Sequence, residues 1–390
     1  MQVSTGLRQT ASNPEGTTVT TVFTPKRAGS IAAALLASTL LLSACAANED
    51  APAPAASGSD GGTSAALTGT LDGSGASSQG SAQEAWIAAF QTVNTGVTIN
   101  YAPDGSGAGR EAFIAGGVDF AGSDSYLKDE ELASTFASCA AGTTPFEVPT
   151  YISPIALIFN VEGVDELNLD AATIASIFKG DITKWNDAAI ADLNPDATLP
   201  DADITAVHRS DDSGTTKNFA DYLSKMAPDV WDAEPADPFP YTVGEAAKGT
   251  SGVVDAVKNG TNTIGYADAS KAGELGVAKI KVGDDFVTYT AEAAAAVVEE
   301  SPLVEGRDAT DLAIAIDRTT TDPTHYPLVL VSYIIGCNEY ADAEVGSLVK
   351  EYVSYITGAD GQSVASSEAG AAPLAADLSA KVAAVVAAIK

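Results

Sequence analysis

ITAVHRSDDSGTTKNFADYLSKM (Ile204–Met226) reads as strand, polar loop and helix in direct succession: Ile204–His208 as the strand, Arg209–Thr215 as the loop, and Thr216–Met226 as the helix. The same alternation recurs on both sides. Upstream, Ala82–Thr92 has helical apolar spacing at Trp86, Ile87 and Phe90, Val97–Tyr101 alternates as a strand, Gly109–Ala115 is a short helix and Val118–Ala121 a strand. Tyr151–Asn160 (YISPIALIFN) is a nearly continuous apolar run, read as a buried strand broken at Pro154, and Ala171–Phe178 and Asp187–Leu193 are helical. Downstream, Gly252–Asn259 is a helix, Thr263–Ala267 a strand, Ala291–Glu299 a helix and Leu328–Ile335 a buried strand, before closing helices over Val345–Ile356 and Leu374–Ile389. Strands and helices joined by Gly-rich turns argue for an α/β fold with parallel strands. The length, 390 residues, suits two or three domains.

Four short polar segments are built to hold an anion. GSGASS (Gly73–Ser78) and DGSGAG (Asp104–Gly109) each stand before a helix, where glycine lets backbone N–H groups approach a ligand and the helix start adds its positive dipole end. AGSDS (Ala121–Ser125) ends a strand and carries Asp124, an unusual neighbour for an anion unless the anion donates a proton to it. Monohydrogen phosphate has such a proton; sulfate at neutral pH has none. HRSDDSGTT (His208–Thr216) supplies Arg209, a planar fork for two oxygens, with Asp211 placed to fix it and Ser213, Gly214 and Thr215 opening the next helix. No G-K-[ST] follows any of these loops, so none is a P-loop.

The N-terminus is a targeting segment. Lys26 and Arg27 form its charged part, Ile31–Leu42 an apolar stretch too short to span a bilayer, and Leu42-Ser-Ala-Cys45 the cleavage and lipidation pattern of a bacterial lipoprotein. Residues 1–21 are unlike a signal peptide, and initiation near Val19 or Val22 is expected. Cleavage before Cys45 removes Arg8, Glu15, Lys26 and Arg27, leaving 17 basic and 51 acidic residues, a net charge of −34. That charge argues against nucleic-acid partners and against adhesion to anionic lipid. It also repels phosphate at long range, but screening confines the field to about 8–10 Å at ordinary salt, so local donors and one Arg decide at contact. Asn48–Ala65, rich in Pro, Ala, Ser and Gly, is a flexible tether. Cys139 and Cys337 are an even pair in an exported chain, either bridged or two separate buried thiols. With two histidines and no C-x-x-C, no metal site is expected, and no cofactor. The absence of G-x-S-x-G, with His208 on a strand that points it away from the loop, argues against a serine hydrolase, and two histidines are too few for a metal phosphatase.

From Leu67 to the C-terminus the chain resembles the phosphate-binding (PstS-type) proteins of bacterial phosphate ABC importers. The resemblance rests on LDGSGASSQGSAQEAW, DGSGAG, VDFAGSD, LDAATIASIFKGDITKWNDAAIADLNP (Leu169–Pro195) and HRSDDSGTTKNF, in that order, with IFKGDITKWN (Ile177–Asn186) a marker by itself. It departs from the family in the first loop, which usually reads GAGATFP. The resemblance implies a type II periplasmic-binding-protein fold of two α/β lobes joined by crossing hinge segments: 66–152 and 305–390 as lobe one and 153–304 as lobe two, after the signal region 1–44 and the linker 45–65. It implies phosphate donors at Ser77, Ser78 (through its N–H), Ser106, Ser213, Gly214 and Thr215, a proton acceptor at Asp124, the cation Arg209 and its partner Asp211. It further implies a binding protein and no enzyme. Its partners are inorganic phosphate and the permease and ATPase subunits of an importer. The chain is a monomer held on the outer face of the cell membrane by lipid on Cys45.

Overall fold

The computed structural model describes residues 66–390. The signal region, the linker and Cys45 lie outside the described residues. The order begins with β1 (Thr68–Gly75), α1 (Gly80–Val93), β2 (Gly96–Ala102), α2 (Ser106–Ile114), β3 (Phe120–Ser123) and the single turn α3 (Asp129–Leu132). The long strand β4 (Pro145–Asn160) leads to β5 (Asn168–Leu169), α4 (Ala171–Lys179), α5 (Ala188–Ala191), β6 (Thr205–Arg209) and α6 (Gly214–Met226). Then come β7 (Glu245–Ala247), α7 (Gly249–Asn259), β8 (Thr263–Asp268), β9 (Gly276–Val277), β10 (Lys279–Val282), β11 (Asp285–Val287) and α8 (Ala291–Glu300). The chain closes with β12 (Val329–Cys337), α9 (Ala343–Thr357), α10 (Ala359–Ala369) and α11 (Ala376–Ala387).

The main sheet runs β2-β1-β3-β12-β4-β8-β6-β7, with β9 beside β4, and β11-β10-β5 form a small second sheet. Its two outer parts are parallel, as alternation predicts: β1 with β2 and β3, and β6 with β7 and β8. The centre is not. β12 is antiparallel to β3 and β4, and β4 is antiparallel to β8. An apolar run fixes burial on both faces and carries no direction, which is why the sequence reading missed this. β4 passes through both parts of the sheet, pairing with β12 up to Pro154 and with β8 from Ile155. Pro154 therefore does not break the strand; it stands where β4 changes neighbour, a position that tolerates a missing N–H.

One continuous apolar core runs under both parts. Beneath the first, Phe120 stacks on Tyr101 and meets Tyr352, while the Trp86 indole N–H donates to Gly361 O (2.7 Å), fixing α1 to α10. Beneath the second, Phe219 stacks on Tyr266 at 4.2 Å and takes Phe178 edge-on. The IFKGDITKWN marker belongs to this second core. Asp170 caps α4 by accepting from Thr173 N (2.8 Å), Gly180 ends it in the left-handed region (φ +89°), and the buried Trp185 donates to Asn262 O (3.1 Å). Cys139 and Cys337 form a disulfide that joins the loop after α3 to the end of β12. Among the described residues no helix is long and apolar enough to cross a membrane, and no group of three His, Cys, Asp or Glu is set to hold a metal.

Candidate functional site

In an α/β sheet the segments that leave the carboxyl ends of parallel strands gather along one edge. β1 ends at Gly75, β2 at Ala102, β3 at Ser123 and β6 at Arg209, and each leads into one of the four polar segments. Gly73–Gly75 belongs to β1 itself, so the first loop is shorter than its sequence suggests. Gly75 has φ +146°, and a Cβ there would run into the Gly122 carbonyl of β3, so the turn out of β1 requires glycine.

The four segments meet. Gly107 N donates to Asp212 O (3.0 Å). The start of α6 lies against the second and third segments: a Cβ on Gly214 would stand 2.6 Å from Ser106 Oγ and 2.7 Å from Asp124 Cβ, and Ser78 of the first segment donates to Asp124. Of the nine predicted residues, all but the half-buried Asp211 are buried. Ser213 caps α6, its Oγ accepting from Thr216 N (3.2 Å). Ser106 is the first residue of α2, and its Oγ accepts from Asp124 N (3.1 Å).

Asp124 is the centre of the constellation. Its Oδ1 accepts from Ser78 Oγ (2.6 Å) and Ser332 Oγ (2.5 Å), and its Oδ2 accepts from Thr215 Oγ1 (2.9 Å). Burial raises the carboxyl above its ordinary value, and these three hydroxyls and Arg209 offset only part of that rise. Asp124 caps no helix: α3 begins at Asp129, with Lys128 at its N-cap position and Lys128 N donating to Glu131 Oε2 (2.7 Å). Arg209 is buried and donates through Nε (2.8 Å) and Nη2 to the two oxygens of Asp211. Asp211 also accepts from Gly249 N (3.0 Å) and, although burial works to raise it, the guanidinium holds it below the usual carboxylate range. His208 faces elsewhere. Its ring stacks on Phe239 at 4.0 Å and both ring nitrogens lie 3.0 Å from main-chain carbonyls, so it is no base for these hydroxyls.

Several members were not read from the sequence. Ser332 is one polar residue inside the buried run of β12. Gly249 and Thr250 open α7, and Thr250 N donates to Ser77 Oγ (3.0 Å); GTSG (Gly249–Gly252) repeats the Gly-Ser-Thr helix start of the other loops and was the signal to follow. Asn218, one turn into α6, donates to Asp124 O (2.8 Å) and Gly214 O (3.0 Å). The buried Arg110 of α2 donates through Nη2 to Asp237 Oδ2 (2.6 Å) and through Nε to Glu131. Those carboxylates commit Arg110, which is not among the predicted residues; the cation of that set, Arg209, is held by Asp211.

A model of the PBP superfamily domain matches residues 60–360. Phosphate-binding protein PstS 3 of Mycobacterium leprae is 36% identical over 331 residues, covering 83% of this chain and 89% of its own. Phosphate-binding protein PstS 2 of Mycobacterium tuberculosis is 32% identical over 93% of this chain and 99% of its own. Among solved structures, the chain is similar to a high-affinity periplasmic phosphate-binding protein bound with phosphate (TM-score 0.66, 22% identity, 81% of this chain and 93% of the other). It is also similar to a phosphate ABC transporter substrate-binding protein from Clostridium perfringens (TM-score 0.56, 20% identity, 79% and 100%). At those identities the solved structures establish the fold, that of the periplasmic binding proteins.

Proposed function

The chain belongs to the PBP superfamily and, within it, to the PstS-type phosphate-binding proteins, and we propose that it is an extracytoplasmic receptor that binds inorganic phosphate and delivers it to the permease of an ABC importer. One observation carries the reading for this chain: a buried carboxylate, Asp124, in a shell of hydroxyl donors, with the buried Arg209 close enough to act on its charge. Such a site accepts an anion that brings its own proton. Monohydrogen phosphate donates that proton to Asp124, whereas sulfate would present oxygen lone pairs to a buried carboxylate. It is a binding site and not an enzyme's.

In this reading Arg209, held by Asp211, takes phosphate oxygens, and the hydroxyl or N–H groups of Ser77, Ser78, Ser106, Ser213, Gly214 and Thr215 complete the shell. Charge-assisted hydrogen bonds contribute roughly 1.5–3 kcal/mol each, so several reach micromolar affinity, about −8 kcal/mol, after the cost of closure. Residues 66–152 with 305–390 form one lobe and 153–304 the other, and phosphate binding closes them over the ligand. The run of β4 through both parts of the sheet supports that division. A lipid on Cys45 and the tether 45–65 hold the monomer on the outer face of the membrane, where it meets the permease and ATPase subunits. Asp124→Asn tests the selectivity: the amide N–H of Asn can donate to sulfate, so sulfate competes better in the variant. Unchanged sulfate affinity would remove Asp124 from the role of proton acceptor.

A further inference from the structure

Asp124 stands at the end of a buried line of polar side chains that reaches through the first part of the fold. Gln79 Nε2 donates to Tyr333 O (3.0 Å) and to Ser332 Oγ (2.7 Å). Gln83 Nε2 donates to Gln79 Oε1 (2.9 Å), and Tyr352 OH donates to Gln83 Oε1 (2.7 Å). Ser332 Oγ donates in turn to Asp124 Oδ1 (2.5 Å). All five side chains are buried, drawn from α9, α1, the turn before α1, β12 and the loop after β3.

The direction of every bond in this line is fixed by one backbone atom. A main-chain carbonyl only accepts, so the Gln79 atom facing Tyr333 O is nitrogen. That nitrogen's second hydrogen goes to Ser332 Oγ. The Gln79 oxygen then faces Gln83, which must present its nitrogen there and its oxygen to Tyr352. The Ser332 hydroxyl, already accepting from Gln79, has Asp124 Oδ1 as the acceptor for its own proton. A register shift in the pairing of β12 with β4 falls between Ser332 and Tyr333, so the sheet itself sets Ser332 at this junction.

The count at the carboxylate follows. Oδ1 accepts two hydroxyls, Ser332 and Ser78, and both its lone pairs are used; Oδ2 accepts Thr215, which leaves one lone pair there. A proton placed on Oδ1 would meet two O–H groups head-on. We infer that the one-way chain Tyr352→Gln83→Gln79→Ser332→Asp124 holds Oδ1 as an acceptor and reserves Oδ2 for the proton of the bound anion, so that Ser332 and Gln79 are selectivity-determining positioning residues. The inference rests on the phosphate reading of the same site. Its chemical content is that the donors favour the ionised form of Asp124, which accepts the hydrogen of monohydrogen phosphate and repels sulfate. An Asp124 that protonates readily would instead donate to sulfate and admit it.

The test is calorimetric titration of the full chain, freed of ligand, with phosphate and with sulfate near neutral pH, in the wild type, Ser332→Ala and Gln79→Glu. Ser332→Ala deletes one donor to Oδ1. Gln79→Glu keeps the shape of the side chain but turns an oxygen toward Ser332, which draws the hydroxyl proton away from Asp124. Both variants are expected to bind phosphate about tenfold more weakly, with sulfate unchanged or tighter, so the phosphate-to-sulfate ratio falls at least tenfold. Ser332→Thr, which keeps the hydroxyl, keeps the ratio. A merely structural role would weaken both anions alike, and equal weakening, or a wild-type ratio in whichever of the two variants folds, overturns the inference. A selective wild type with unselective dependence on these residues refutes the chain alone; a wild type that binds neither anion refutes the phosphate reading and the chain together.

Discussion

Asp237→Asn strikes the most deeply buried ion pair between the two proposed lobes. Arg110 belongs to α2 on one side and Asp237 to the segment between α6 and β7 on the other, and their side chains are 1% and 2% exposed. Asp237 accepts from Arg110 Nη2 (2.6 Å) and from Ser125 Oγ (2.6 Å), and lies 3.9 Å from Lys128 Nζ. Burial works to raise the Asp237 carboxyl and to lower Arg110, but each shifts toward its charged form because its ionic and hydrogen-bond partners together outweigh burial. Removing one member of a buried pair commonly costs about 3–5 kcal/mol, because a bare charge is left behind. Here Arg110 keeps Glu131 at 3.1 Å and Ser123 Oγ at 2.9 Å, so it is not stranded. The loss is nearer one charge-assisted hydrogen bond, about 2 kcal/mol. If the lobes separate when empty, that loss falls on the closed form alone. Phosphate then binds roughly thirtyfold more weakly, while the ligand-free variant unfolds at nearly the wild-type temperature. Calorimetric titration gives the affinity, and small-angle scattering gives the compaction on adding phosphate. A phosphate affinity within about twofold of wild type, with normal compaction, would refute the reasoning that this pair belongs to closure.

Asp268 gives a pH prediction. It is fully buried, its Oδ1 accepting from Tyr151 OH and Ser270 N (both 3.0 Å), and burial raises its carboxyl to about 6. Because the folded value lies above the unfolded one, near 3.9, its contribution to stability is full below about pH 4 and is lost as pH rises through about 6, roughly 3 kcal/mol in all. The unfolding free energies of wild type and Asp268→Asn, compared by denaturant titration at both ends of that range, should therefore diverge by about that amount in favour of the variant at high pH. A difference that does not change with pH contradicts this. The Cys139–Cys337 disulfide closes a loop of sequence separation 198, so the Cys139→Ser, Cys337→Ser double variant should lose about 2–4 kcal/mol to denaturant; an unshifted midpoint would show that the bridge does not constrain the unfolded chain.

The four polar loops that meet in the fold were legible because their residue types stand out: glycines at tight turns, Ser and Thr at helix starts, and one Arg two residues before an Asp. What lay hidden was carried by residues whose neighbours give no hint. Ser332 sits in LVLVSYII, where burial dominates the reading, and Gln79 and Gln83 look like ordinary polar residues at the start of a helix although both are buried. α10 (ADGQSVASSEA) was missed because its buried face is Gly361, Ala365, Ala369 and the polar Gln362, with no apolar stripe to detect. β5, β7, β9, β10 and β11 span two to four residues, too few for alternation to register. The IFKGDITKWN stretch, strongest as a marker of resemblance, builds the core beside Trp185 and supplies none of the predicted site residues.

The most direct test of the account is calorimetric titration of the ligand-free protein with phosphate and then with sulfate. Phosphate is expected to bind at micromolar affinity or tighter, about −8 kcal/mol or better, with no response to sulfate. Binding of both anions with similar affinity would contradict the role given to Asp124, and binding of neither would contradict the proposed function itself.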